Sequence, residues 1–149
     1  MLFKTHLSMC LFVVLLLLPV VNNPFIFAFS ALFSTLLPDI DTPFSKFGRH
    51  KFYRLVQFFT KHRGIIHSLT FCILVSLIFS IFLPVIAFGF FIGYSFHLLG
   101  DSFTKSGIVP FWPYPKKARG KISTGGLIEK GIFLAFLIVN LFLVIFLFF

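Results

Sequence analysis

Five histidines and four carboxylates carry the chemistry open to this chain of 149 residues: His6, His50, His62, His67, His97, Asp39, Asp41, Asp101 and Glu129. His97 and Asp101 stand four apart, so on a continuous helix they share one face. That spacing suits two ligands of one metal, or one ligand and the carboxylate that orients its second ring nitrogen. Asp39 and Asp41, two apart beyond Pro38, cannot share a helical face. An extended turn would let both reach inward and one bridge two ions. His62 and His67 flank Gly64, which permits a sharp backbone turn ahead of a helix. Mixed imidazole and carboxylate donors suit Zn, Mn or Fe better than Ca, which takes oxygen alone.

The elements that must position these groups are apolar helices. Apolar residues make up 58% of the chain, 26 residues are Phe and only 11% are charged, against about 25% charged in an ordinary soluble domain. Mean hydropathy is +1.04. So much apolar surface cannot be hidden inside a globule and must face lipid. Apolar runs cover residues 7–21, 25–37, 65–99 and 127–149. Asn22-Asn23-Pro24 separates the first two, and Pro84 divides the third at a position suited to the first turn of a new helix. The last run meets the span of about 20 residues that a bilayer requires, and the others are shorter. The expected architecture is all-α: a polytopic membrane helical bundle of four to five transmembrane helices, two short hairpins plus a C-terminal span, in a single domain over residues 1–149. Cys10 and Cys72 lie in apolar runs and read as small packed residues.

Charge placement supplies a side. Apart from Lys4, the 13 basic residues fall between Lys46 and Arg63 or between Lys105 and Lys130. Two hairpins that cross and return leave both basic stretches on the side of Lys4, which the positive-inside rule makes cytoplasmic. Anionic headgroups attract such stretches, so membrane lipids rather than nucleic acid are the expected partners. Trp112 and Tyr114 read as interfacial anchors, and Lys116, Lys117, Arg119 and Lys121 as lipid-facing or topological. A cleavable signal peptide over the first run is a competing reading, opposed by the apolar run that follows directly.

On this topology His6, Asp39, Asp41, His62, His67, His97, Asp101 and Glu129 all lie at cytoplasmic helix ends, whereas His50 reads as a solvated loop residue. Taken singly, a carboxylate at a helix end balances basic charge, and an interfacial His is usually structural. Ionisable groups gathered at the ends of membrane helices point instead to function.

The segments Pro38-Asp39-Ile40-Asp41, His62-Arg63-Gly64-Ile65-Ile66-His67-Ser68 and His97 to Asp101 with Thr104 and Gly107 resemble the motifs of the YdjM-like family of inner-membrane proteins, classed as metal-dependent hydrolases. Thr5-His6, Pro110-Phe111 and the stretch from Ser123-Thr124-Gly125 to Glu129 extend the resemblance over nearly the whole chain. Gly100 departs from the family, which often has a bulkier apolar residue there. The family is distantly similar to zinc phospholipase C and nuclease-type helical enzymes, which implies phosphoester hydrolysis at the membrane surface.

The expected activity is therefore hydrolysis of an ester or phosphoester, of a small molecule or a lipid, at the cytoplasmic face of the inner membrane. A divalent metal, Zn with Mn or Fe as alternatives, is the expected cofactor. Its ligands would come from His6, Asp39, Asp41, His62, His67, His97 and Asp101. Glu129 or Asp41 would act as general base, and Arg63 would steady developing negative charge. With Glu129 as a further candidate ligand, eight donors exceed the four of one Zn site and favour two ions or a large outer shell. The lipid-phosphatase pattern fails because residue 91 is Phe, and no GxSxG elbow or P-loop occurs. The alternatives are a non-catalytic metal-binding or transport protein, which would place ionisable groups near the midplane, and a scaffold whose polar cluster ties helix ends together.

Overall fold

The computed structural model describes residues 1–41 and 64–148. Within them lie five α-helices: α1 (Phe3–Leu17), α2 (Pro24–Ser34), α3 (Leu69–Phe82), α4 (Pro84–Ser102) and α5 (Leu127–Phe148). Short 3-10 turns at Leu18–Val20 and Pro38–Asp41 extend α1 and follow α2. No strand occurs among the described residues, only isolated bridges between Thr104 and Ile122 and between Ile108 and Ala118. The all-helical expectation holds.

Pro84, expected to open a helix, begins α4, and Pro24, read as part of the break between the first two runs, begins α2. There the missing N–H is one the helix would leave unpaired anyway. The two hairpins are uneven, however. Among the described residues, three segments are long and apolar enough to cross a membrane: Phe3–Val20, Pro84–Ser102 and Leu127–Leu147. Their hairpin partners, Pro24–Ile40 and Leu69–Phe82, are shorter, and the 14 residues of α3 rise only about 21 Å. Each hairpin therefore pairs one full-length helix with one short helix, where the sequence suggested four similar short runs.

The centre of the bundle is the contact of α2 with α4. Gly89 and Gly93, one turn apart on α4, press against α2 so closely that a Cβ on Gly93 would lie 1.9 Å from the Ala31 carbonyl oxygen. A Cβ on Gly89 would lie 2.7 Å from the Phe27 oxygen. Small residues face them across the contact, with Ser30, Ala31 and Ser34 all buried. In lipid, where apolar surface alone does not drive helices together, such stripes let backbones touch and gain dispersion and polar contacts. Thr35 Oγ1 completes this contact, its single O–H shared between the carbonyls of Ala31 (2.9 Å) and Gly93 (3.0 Å).

The α3 helix packs on the outer side of α4 through a cluster around Cys72, Phe90, Tyr94 and Leu98. The α5 helix lies against α1, where Asn140 Nδ2 donates to the Ser8 carbonyl at 2.9 Å. Leu127, Phe142 and Phe146 of α5 face outward and are exposed, as are Phe25, Phe29 and Ile81 on the hairpins. That outward apolar surface is what a lipid-facing bundle presents.

The Gly93 contact yields a direct test. Gly93→Ala should lower stability by about 3 kcal/mol or more, since the added methyl meets backbone that cannot yield. Gly131→Ala on α5, where a Cβ meets nothing within 4 Å, should be neutral or stabilise by up to about 1 kcal/mol. Thermal unfolding of the two variants in one detergent would separate them, and equal melting temperatures would contradict the packing.

Candidate metal centre

Five side chains from four elements converge at one end of the bundle. His6 comes from the first turn of α1, Asp39 from the 3-10 turn after α2, His67 from the turn before α3, and His97 with Asp101 from the last turns of α4. His6, His67, His97 and Asp101 are all buried, and Asp39 is 20% exposed. They form two overlapping groups. Ligand atoms of His6, His97 and Asp101 lie within 4.8 Å of one another, as do those of Asp39, His67 and His97.

Each donor has a local reason for its place. His97 Nδ1 lies 2.7 Å from the Thr35 carbonyl oxygen. A carbonyl can only accept, so Nδ1 carries the proton and the lone pair of Nε2 points into the cluster. Thr35 can reach His97 because the glycine stripe has drawn α2 against α4. His67 sits in a turn held at two points. The Tyr94 hydroxyl donates to the Ile66 carbonyl at 2.6 Å, and Ser68 caps α3 by accepting from Phe71 N at 3.1 Å. His6 stacks on His97 with ring centroids 3.9 Å apart. Gly100 makes room for it, since a Cβ there would lie 2.9 Å from His6 Nδ1. A side chain at residue 100 would therefore collide with this placement of the His6 ring.

Asp101 is the hub. Its Oδ1 accepts from the Met1 α-amino nitrogen and faces His6 Nε2 at 3.3 Å. Its Oδ2 faces His67 Nε2 at 3.7 Å and His97 Nε2 at 4.0 Å. Asp39 Oδ1 lies 3.8 Å from His97 Nε2 and 4.0 Å from His67 Nε2. Apart from the Met1 contact, these separations are long for hydrogen bonds. Two ligand atoms each about 2.0–2.2 Å from a tetrahedral ion lie about 3.3–3.6 Å apart. The cluster is therefore spaced as metal ligands are, slightly expanded. Burial agrees: His97 Nε2 and His6 Nδ1 make no hydrogen bond among the described residues although water does not reach them. A buried polar atom without a partner costs about 1–3 kcal/mol, and a cation at the centre would relieve this for Nε2.

The remaining sequence candidates are distributed as follows. Glu129 is fully buried on the first turn of α5 but stands outside both groups. Its Oε1 accepts from Leu2 N at 2.5 Å and its Oε2 from Gly125 N at 2.6 Å. It thereby ties the start of α1 to the start of α5, and carries Met1 to Asp101. Asp41 closes the 3-10 turn that bears Asp39. His50, His62 and Arg63 lie outside the described residues. The TxxG segment after Asp101 is a stop: Thr104 Oγ1 donates to the Asp101 carbonyl at 2.7 Å, and Gly107 turns with φ +63°.

Thr35 and Tyr94 were not singled out in the sequence. Thr35 acts through a backbone carbonyl, which any residue type would offer. Tyr94 carried a usable signal, standing three residues before His97 and so on the same face.

The family model described as YdjM inner membrane protein matches residues 1–149. No curated protein and no solved structure matches.

The Glu129 arrangement predicts a structural loss. Glu129→Ala strands two backbone N–H donors held by a charged acceptor and should destabilise the protein by about 2 kcal/mol or more. Denaturant unfolding in detergent would show it, and an unchanged midpoint would contradict the role assigned to this carboxylate.

Proposed function

The chain belongs to the YdjM inner membrane protein family, and from that premise we propose that it is a membrane-bound hydrolase dependent on a divalent metal, Zn by preference, acting on an ester or phosphoester at the cytoplasmic face. One observation carries the reading: three buried imidazoles and two carboxylates converge at ligand spacing, with the Nε2 atom of His97 left without a hydrogen bond. A bound divalent ion supplies Lewis acidity, polarising the scissile group and making water nucleophilic near neutral pH.

The chain's own residues supply the rest. Thr35 holds the tautomer of His97, so its donor nitrogen stays aimed inward. Asp101 presents one oxygen to His6 and the other to His67 and His97, a placement suited to linking two ions. Asp39, the most exposed member of the cluster, marks the side from which substrate and water enter. Both Glu129 oxygens are engaged by backbone amides, so Glu129 is a positioning residue and Asp41 takes the role of general base. Arg63, four residues before His67 in the sequence, steadies negative charge as it develops on the substrate.

The cytoplasmic assignment rests on charge. Lys4, Lys105 and Lys130 belong to the same end of the bundle as the cluster, while the hairpin turns at Leu18–Pro24 and Phe82–Pro84 carry no charge. The positive-inside rule then turns the metal centre toward the cytoplasm.

Purified protein should hold stoichiometric Zn, Mn or Fe by elemental analysis, and His67→Ala or Asp101→Ala should weaken metal affinity at least about tenfold. Metal-loaded protein should cleave a chromogenic phosphodiester or a phospholipid vesicle substrate, and chelation should stop it. Affinity should fall as the pH is lowered, because protonated imidazole cannot bind metal. Wild-type protein free of metal, or metal flux into vesicles without hydrolysis, would overturn the proposal.

A further inference from the structure

On the far side of α4 from the metal centre lies a second feature. A cavity of about 410 Å³ is lined by Leu69 of α3, Phe91, Leu98 and Leu99 of α4, and Ile108 and Ala118 of the segment that follows. Ser95 and Ser102 stand on a face of α4 about 100–160° round the helix from His97 and Asp101, so the helix separates this groove from the cluster. Between Phe91 and Ser102 the helix rises about 16 Å, close to the hydrocarbon depth of one leaflet, half of about 30 Å.

The groove is roofed by residues 103–122, which form a fixed strap across its aqueous end. Pro110 O accepts from Leu69 N (2.8 Å) and Thr70 N (3.2 Å), fastening the strap to the start of α3. Ile108 and Ala118 exchange two backbone hydrogen bonds of 2.9 Å, and Lys105 N donates to Ile122 O at 2.9 Å. The strap has two sides. Ile108 and Ala118 line the groove, while Lys105, Lys116, Lys117, Arg119 and Lys121 are all exposed. In an extended segment, Lys117 and Arg119 alternate to the side opposite Ala118. Phe111, Trp112 and Tyr114 are exposed at its tip, the residue types that settle at headgroup depth.

An apolar channel one leaflet deep, ending under a cationic strap with interfacial aromatics, is complementary to one class of molecule. We infer that the groove between α3 and α4 binds an anionic phospholipid, its acyl chain against Phe91 and Leu98 and its phosphate at the strap edge near Lys105, Lys117 and Arg119. Long basic side chains reach such a phosphate by laying their methylenes along the strap. The site is separate from the metal centre and does not depend on the hydrolase reading.

The test is lipid titration of the full chain in detergent, followed by native mass spectrometry, with dioleoyl phosphatidylglycerol and dioleoyl phosphatidylcholine as probes. The wild type should hold one phosphatidylglycerol at least about tenfold more tightly than phosphatidylcholine. Each basic side chain near the surface contributes about fivefold, so Lys117→Gln with Arg119→Gln should weaken phosphatidylglycerol by about 25-fold and leave phosphatidylcholine nearly unchanged. Ala118→Phe, which fills the groove, should remove the tight lipid altogether. If that variant does not fold, Leu99→Trp at the exposed lip serves in its place. Metal content should be unaltered in every folded variant. Equal affinity for the two lipids would overturn the inference, as would tight phosphatidylglycerol binding that survives both the charge and the groove substitutions.

Discussion

The contact between α2 and α4 governs what the rest of the molecule can do. Without side chains at Gly89 and Gly93, the two helices approach until carbonyl oxygens of one lie where methyl groups of the other would stand. That approach carries Thr35 to His97, and the carbonyl of Thr35 then decides which ring nitrogen of His97 bears the proton. The same face of α4 presents Tyr94, which pins the turn holding His67, and Asp101, which gathers His6 and the start of the chain. A methyl group at residue 93 would therefore be felt through α2 at the donor atoms of the cluster.

Placing five ionisable side chains together out of water is expensive unless something compensates. Several compensations are visible: Met1 and Leu2 backbone groups on Asp101 and Glu129, the Thr35 carbonyl on His97, and the stacking of His6 on His97. They secure the outer sides of the cluster and leave its interior facing donor to donor at 3.3–4.0 Å. A set of side chains held from outside, with its inner atoms at ligand spacing, is the preorganisation that a metal site requires.

Much of this could be read from residue order alone. Apolar runs with polar groups at alternate ends force His6, Asp39, His67, His97 and Asp101 to one end of any hairpin arrangement, and the spacing of four from His97 to Asp101 sets both on one face. The helix start at Pro84 is equally plain. Other features required coordinates. A carboxylate at a helix start, such as Glu129, reads alike as base, ligand or cap, and only its two backbone partners single out the last. Thr35 contributes a main-chain oxygen that leaves no trace in residue type. The unequal hairpins arise because α1 begins at Phe3, ahead of the apolar run at 7–21, and α4 runs on to Ser102, past the run that ends at 99, extensions that hydropathy does not mark.

The central claim is that the histidines and aspartates at the end of the bundle are ligands of one metal centre. X-ray absorption at the Zn edge of purified, Zn-loaded protein tests it most directly. The account predicts a shell of imidazole nitrogen and carboxylate oxygen at about 2.0–2.2 Å, lost in His97→Ala. A shell containing sulfur at about 2.3 Å would assign the ion to cysteine instead, and a spectrum unchanged by His97→Ala would contradict the account.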